Sequence, residues 1–337
     1  MTGRKKTGKL AARTLARLLD RYTNDQDPAV LVGPGVGVDA AAVTVPAGAL
    51  VLASDPVTYA TERLGHYAVH VNANDVFASG AEPRWFLADI LLPPGRGRLA
   101  ERIFAQIHRS CSELGVSLIG GHTEITPDLP RPIVAGFMVG QALGDRVLTA
   151  RDVRPGDAII LTKGVAIEGT AIIAGEREAE LLKGVPARTV RRAKRMLDKP
   201  GLSVGPEARI VVDRGVHAMH DPTEGGLLNG LWEMSEASQL AFHVDQERVA
   251  VYSETRAVCT HFRLDPMKLL ASGALLLACP AEAAGGVLDA LASRDIPATE
   301  IGRARKGTPG VHLTGGKIIR KAVTDEILKI FGPAGPG

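Results

Sequence analysis

The stretch HYAVHVNANDVFASGAEPRWFLADILLP, His66 to Pro93, decides the architecture. Its first part predicts a helix that ends near Gly80. Its second part, PRWFLADILLP, predicts a strand closed by the Pro-Pro-Gly of residues 93–95. A helix thus feeds a buried strand, with the acid Asp75 close to the junction.

The same alternation extends both ways. Leu10 to Tyr22 spaces Leu10, Leu15, Leu18 and Leu19 along one side of a lead-in helix. AAVTV and LVLAS predict two strands joined by the turn PAGA, with Asp55 just after the second. Leu99 to Leu114 predicts a helix, SLIGG a short strand and RPIVAGFMVGQAL a long one. ARDVRPGD, residues 150–157, is polar and rich in turn formers, so a second domain is expected to start there with the buried strand AIILT. Helices around residues 169–179 and 187–197, a helix near Glu207, a helix over 227–237 and strands at AFHVD and ALLLAC complete the expected second half. Both halves place Gly-rich, acid-bearing loops where strands meet helices, the organisation of an α/β protein.

Composition bounds the function. The 337 residues suffice for two domains, and 45% hydrophobic against 23% charged residues suits a globular chain. Lys and Arg number 40 and Asp and Glu 37, which argues against a dedicated nucleic-acid surface. Aromatic residues at 4% also disfavour base stacking. The three cysteines, Cys111, Cys259 and Cys279, lack CxxC spacing and are expected to be core residues in a reducing compartment. No apolar run approaches the roughly 18 residues of a membrane helix and no signal-peptide h-region stands at the N-terminus, so a soluble cytoplasmic protein without membrane contact is expected.

The loop VGPGVGVDAAAV, Val32 to Val43, formally contains GxGxxA, but that fingerprint requires a following helix, and strands are expected here. It also lacks the Gly-Lys-Ser/Thr of a P-loop. What it does carry is Asp39. Further acids stand beside Gly, Pro or Asn: Asp55 in SDP, Asp75 in NANDV, and Asp221 with Glu224 in HDPTEGG. Each alone suits a cap or an Asx turn. Together they suit magnesium on a nucleotide, which takes a few carboxylate oxygens beside phosphate oxygens and water. A second glycine loop, GGHTE, offers close backbone approach and the Thr123 hydroxyl; His122 suits either a ligand or a surface role. His70 lies on a helix with an otherwise apolar face and is read as packing. HExxH, zinc-type Cys/His spacing and GxSxG are absent from the sequence.

Taken in order, GVGVDAA, SD, AVHVNANDVFASGAEP, GGHTE, RPGD, HDPTEGG and ASGALLL resemble the PurM superfamily of aminoimidazole ribonucleotide (AIR) synthase, hydrogenase-maturation protein HypE, selenophosphate synthetase and thiamine-monophosphate kinase. The match runs over about residues 30 to 305. HVNANDVFASGAEP, HDPTEGGLLNGLWEMSEAS and LDPMKLLASGALLLA are most similar to the HypE branch. The resemblance implies a two-domain α/β (α+β) fold. Residues 1–29 would be a basic tail and lead-in helix. Residues 30–149 would form an ATP-binding and dimerisation domain contributing strands to a homodimer's β-barrel, and residues 150–337 a C-terminal α/β sandwich. It implies ATP and Mg2+ as cofactors, with Asp39, Asp55, Asp75, Asp221 and Glu224 toward the metal and Gly37, Asn74, Gly120, Gly121, His122, Thr123 and Thr223 toward ATP. It leaves the catalytic residue open, and implies as partners a small-molecule substrate or a maturation protein.

Three departures from the family pattern shape the reading. Val38 stands where many relatives carry a second acid, His122 where many carry an acid, and no cysteine follows Cys279, whereas HypE carries its carbamoyl group on a terminal cysteine. No cysteine precedes Cys111, so the reactive Cys and Lys of a typical selenophosphate synthetase are not expected either. The leading expectation is an ATP-dependent, Mg2+-requiring HypE-like enzyme that phosphorylates or activates an oxygen of a small substrate. The alternatives are a kinase of the thiamine-monophosphate type and a non-enzymatic nucleotide-binding partner protein.

Overall fold

The computed structural model describes residues 8–9, 12–23, 27–34, 42–45, 48–95, 97–143 and 146–332. It divides into two compact units, Met1–Val76 with Ala81–Asp145, and Phe77–Gly80 with Arg146–Gly337.

The first unit contains, in order, β1 (Gly8–Lys9), α1 (Ala12–Tyr22), β2 (Val30–Val32), β3 (Ala42–Val43), β4 (Leu50–Val57), α2 (Leu64–Ala78), β5 (Ala81–Leu92), α3 (Gly97–Leu114), β6 (Ser117–Ile125) and β7 (Ile133–Ala142). Its main sheet runs β1-β6-β5-β7-β4. The β5–β6 pair is parallel, with α3 as the crossover, while β5–β7, β4–β7 and β1–β6 are antiparallel. Helix α2 is buried nearly all round, with Leu64, Ala68, Val69, Ala73 and Val76 each fully covered. Such a helix is held by packing on several sides rather than by one apolar stripe. Helix α3 shows the stripe instead: Ala100, Ile103, Phe104, Ile107 and Cys111 are buried, and Glu113 is exposed.

Three sequence expectations need correction in this unit. The strands at AAVTV and LVLAS do not form a hairpin with each other. β3 pairs with β2, and β4 pairs with β7, because each finds a longer-range partner. Asp55 lies inside β4 rather than after it. GGHTE is not a loop: β6 continues through it to Ile125, paired along its length with β5.

The second unit contains β8 (Ala158–Thr162), α4 (Ile167–Glu176), α5 (Glu178–Leu181), α6 (Ala187–Lys194), α7 (Gly205–Val211), β9 (Ala218–His220), α8 (Gly226–Ser238), β10 (Ala241–Val244), α9 (Ser253–Phe262), β11 (Leu276–Cys279), α10 (Ala284–Ala292), β12 (Ala298–Arg305), β13 (Gly310–Leu313), β14 (Ile318–Ile319) and α11 (Leu328–Phe331). Its sheet runs β14-β13-β10-β12-β8-β11-β9. The continuous apolar run of β8 is buried at every position, as befits a strand covered on both faces. The sequence reading did not foresee α9, α10 or β12 to β14. No described helix is long and apolar enough to cross a membrane.

Candidate functional site

In the first unit the candidate residues are organised by one buried side chain. Asn72 of α2, fully covered, accepts a hydrogen bond from the Asp55 N–H at 2.7 Å and donates through Nδ2 to the Asp55 carbonyl at 3.1 Å. The same Nδ2 also donates to the Ala68 carbonyl, 2.8 Å away within α2. A side-chain amide thus takes the place of a strand neighbour on the free side of β4, which is the last strand of its sheet among the described residues. This explains why β4 runs on through Asp55 and even through Pro56, a residue tolerated at a sheet edge. Gly136, opposite Asp55 on β7, makes the room: a Cβ there would lie 2.4 Å from Asn72 Nδ2.

The bond seats Asp55 against the helix that carries Asn74 and Asp75 in its final turns. Asn74 is buried, while Asp55 and Asp75 are half-buried. Sequence reasoning singled out Asn74 and missed Asn72. The signal was available, since an asparagine inside an apolar helix and away from its caps needs a partner.

Gly120, Gly121, His122 and Thr123 stand on β6, paired with Leu87, Ala88, Asp89 and Ile90. Gly121 and His122 are exposed and Thr123 is buried. Gly121 has φ of +128°, and a Cβ on it would stand 2.1 Å from the Ala88 carbonyl oxygen, so only glycine fits beside the register shift where β6 carries the extra residue Ile119 between the partners of Phe86 and Leu87. His122 Nε2 lies 3.5 Å from the Glu124 carboxylate. The strand order places β5 and β7 between β6 and β4, which separates this segment from Asp55 by roughly 14 Å at ordinary strand spacing. Gly37 and Asp39, with Val38, lie outside the described residues.

In the second unit HDPTEGG links the end of β9 to the start of α8. Asp221 is buried, Thr223 half-buried and Glu224 exposed. The Thr223 carbonyl accepts from Gly226 N–H at 3.1 Å and Ala271 N–H at 3.2 Å, which ties the loop to the ASG segment. Beneath it, Asn229 Nδ2 donates to the Glu224 carbonyl (3.0 Å) and to Glu233 Oε1 (2.9 Å), while His220 Nε2 stands 3.1 Å from Glu233 Oε2.

The principal residue that sequence reasoning missed here is Asp325. Its buried carboxyl accepts from Gly225 N–H (2.6 Å), Leu270 N–H (3.3 Å) and Ile327 N–H (2.7 Å). Burial raises its pKa above the usual carboxylate value, with the nearby Glu224 acting in the same direction and the three N–H groups opposing. Nothing in a sequence marks an acid two of whose partners lie 100 and 55 positions away.

Chemically, the two units present oxygen donors, the type that hard cations such as Mg2+ take, together with the N-terminus of a 13-residue helix opened by two glycines, a setting suited to phosphate. All three cysteines are buried, and burial pushes the thiols of Cys259 and Cys279 up to about 12 and about 11, and Cys111 higher still.

Family comparisons accord with this geometry. Residues 37–142 match the model of the AIR synthase related protein N-terminal domain, and residues 154–313 match that of its C-terminal domain. The chain belongs to the AIR synthase related protein family. It is similar to the carbamoyl dehydratase HypE of Rhizobium leguminosarum bv. viciae, 28% identical over 76% of this chain and 73% of that one. It is also similar to the selenide, water dikinase of Myxococcus xanthus strain DK1622, 26% identical over 91% of this chain and 94% of that one. Among solved structures, hydrogenase maturation protein HypE in complex with ATP superposes with a TM-score of 0.78 at 24% identity, covering 96% of this chain and 98% of that chain. Two α/β units of the PurM superfamily, a fold shared with HypE, therefore make up the chain.

Proposed function

We propose that this chain is an ATP-using enzyme of the HypE-like branch that, with Mg2+, phosphorylates or activates an oxygen of its substrate. The observation that carries the reading is the Asn72 bridge, which fixes Asp55 against the helix bearing Asn74 and Asp75. In the first unit Asp55 and Asp75, with Asp39, are assigned to magnesium, and Gly37, Asn74 and Gly120 to Thr123 to the nucleotide. In the second unit Asp221 and Glu224 are assigned to magnesium and Thr223 to the nucleotide, beside the positive end of α8. Magnesium, when bound, would neutralise phosphate charge; the chain's own part is to hold its carboxylates and backbone N–H groups in place, the dominant demand of phosphoryl transfer.

The buried cysteines bear on the substrate. None of Cys111, Cys259 and Cys279 is an exposed, ionisable thiol, so none suits the role of carbamoyl carrier, and the acceptor is assigned to a small molecule or to a maturation partner protein. A HypE–HypF complex shares the fold, with a TM-score of 0.65 at 19% identity, which makes a protein partner a natural candidate. A homodimer in the cytoplasm, built through the first unit's sheet and closing a β-barrel, completes the proposal. Its support is a sheet face on which Leu50, Leu52 and Phe137 are exposed, with Leu52 at 72%.

The test is nucleotide binding followed by turnover. ATP with Mg2+ should raise the melting temperature, Asp75→Asn should abolish the shift, and ADP should accumulate with the right substrate. No shift at millimolar ATP refutes the reading. A shift without ADP release under any partner or substrate favours a binding protein without turnover.

A further inference from the structure

Away from the acids just described, the opposite side of α2 carries a second cluster. His66 and His70 are one turn apart, so they share a helix face, and their ring centroids lie 4.2 Å apart. Asn72, two residues on, points to β4 instead. The face with the histidines packs on α3, and Gly65 lets the two helices close up: a Cβ there would lie 2.6 Å from the Ile103 carbonyl oxygen. The approach brings Ser110 and Glu113 of α3 against the two rings.

We propose that His66, His70 and Glu113 form a binding site for a transition-metal ion of the zinc class, separate from the oxygen-donor acids assigned to magnesium. One donor atom from each of the three lies within 4.8 Å of the others. A tetrahedral zinc centre spaces its donors roughly 3.3 Å apart, given bonds of about 2.0–2.1 Å, so the ligands need to draw in only slightly. Glu113 can do this, because its side chain is 54% exposed and its Oε2 already stands 3.9 Å from His70 Nε2. That exposure also gives an ion a way in and leaves a position for water.

His66 has the features of a prepared ligand. Its Nδ1 lies 3.1 Å from Ser110 Oγ, a contact that holds the ring as outer-shell partners do in metal sites. Its Nε2 is buried without a hydrogen-bond partner among the described residues. Two imidazoles and one carboxylate suit zinc, cobalt or nickel, whereas Mg2+ and Ca2+ prefer oxygen throughout. A bound ion would clamp α2 to α3, stabilising the helix that carries Asn74 and Asp75.

The experiment uses the intact protein, stripped with chelator and held in excess Mg2+ so that oxygen-only sites are filled. It is titrated with Co2+, followed by visible absorption, and with Zn2+ in competition with a chromophoric chelator. One equivalent per chain is expected, with a rise in melting temperature on zinc addition. His66→Gln and Glu113→Gln should each weaken zinc binding by more than about tenfold, while Asp75→Asn leaves it unchanged. Glu113 is exposed, so its variant reports even where His66→Gln fails to fold. Absence of stoichiometric binding overturns the proposal. So does retention of full affinity in Glu113→Gln, or loss of zinc binding in Asp75→Asn alone.

Discussion

The buried ion pair of Lys163 and Glu207 offers the sharpest test of how the second unit is held together. Lys163 follows β8, and its ammonium reaches 2.7 Å from Glu207 Oε1 of α7, with side-chain exposures of 7% and 0%. The same ammonium donates to the carbonyls of Ser203 at 2.6 Å and Gly273 at 2.9 Å, so one cation joins α7, the segment before it and the ASG turn. Glu207→Ala leaves that charge buried among carbonyl dipoles with no counter-ion, a loss of about 3–5 kcal/mol. For a unit of this size each kcal/mol shifts the melting temperature by about 2–4 °C, so a fall of roughly 6–20 °C is expected. Lys163→Met should be comparably costly, because it strands the carboxylate. The double variant Lys163→Met/Glu207→Ala removes both charges and should be more stable than either single variant. Urea and thermal unfolding of the four proteins close the cycle. A loss below about 1 kcal/mol in Glu207→Ala, or a double variant as unstable as the sum of the singles, refutes the reasoning.

Other substitutions probe the remaining arguments. Gly121→Ala drives a Cβ into the Ala88 carbonyl at a positive φ and should cost about 2–3 kcal/mol by urea denaturation. Gly285→Ala, in α10 with open space around it, should instead gain about 0.5–1 kcal/mol. Asp325→Ala removes the acceptor of three backbone N–H groups and should cost several kcal/mol, at about 1–3 kcal/mol for each N–H left buried and unmet. Amide exchange at Gly225 and Leu270 should accelerate with it. Because burial raises all three thiol pKa values, the folded protein should not react with a thiol-specific disulfide reagent at pH 7.5, and three equivalents should react in guanidinium; rapid labelling of the native protein would contradict the burial of these residues.

The sequence disclosed what local periodicity can encode. Helix α2 stopping just before Gly80, strand β5 following at once, and the buried run of β8 are all written in their own residues. Sheet partnership is not, and so AAVTV and LVLAS, which look like a hairpin, belong to different sheets. GGHTE looks like a loop because glycines usually break strands; here Gly121 is kept in the strand by the close approach of Ala88, a contact invisible without β5 beside it. The candidate acids are singled out in the sequence because they stand beside Asn, Gly and Pro. Asn72, which brackets the Asp55 backbone, carried a signal as an asparagine inside an apolar helix, whereas Asp325, which accepts from the Gly225 and Leu270 N–H groups, carried none, because those partners are distant in the chain. His70, expected to be packing, is buried on α2, and the Glu113 carboxylate 3.9 Å from it comes from another helix, which its own segment could not disclose.

The Asp325 contact has a consequence for how the chain acquires its form. It joins Gly225 to a residue 100 positions later, so the HDPTEGG segment cannot settle until almost all of the second unit has left the ribosome. Closing so long a loop is slow relative to local helix formation. Until then the loop is a helix start without its anchor, open to proteases and to chaperones. Sequence changes over residues 323–327, far downstream in the chain, would therefore register first as slow maturation of a loop that they do not belong to.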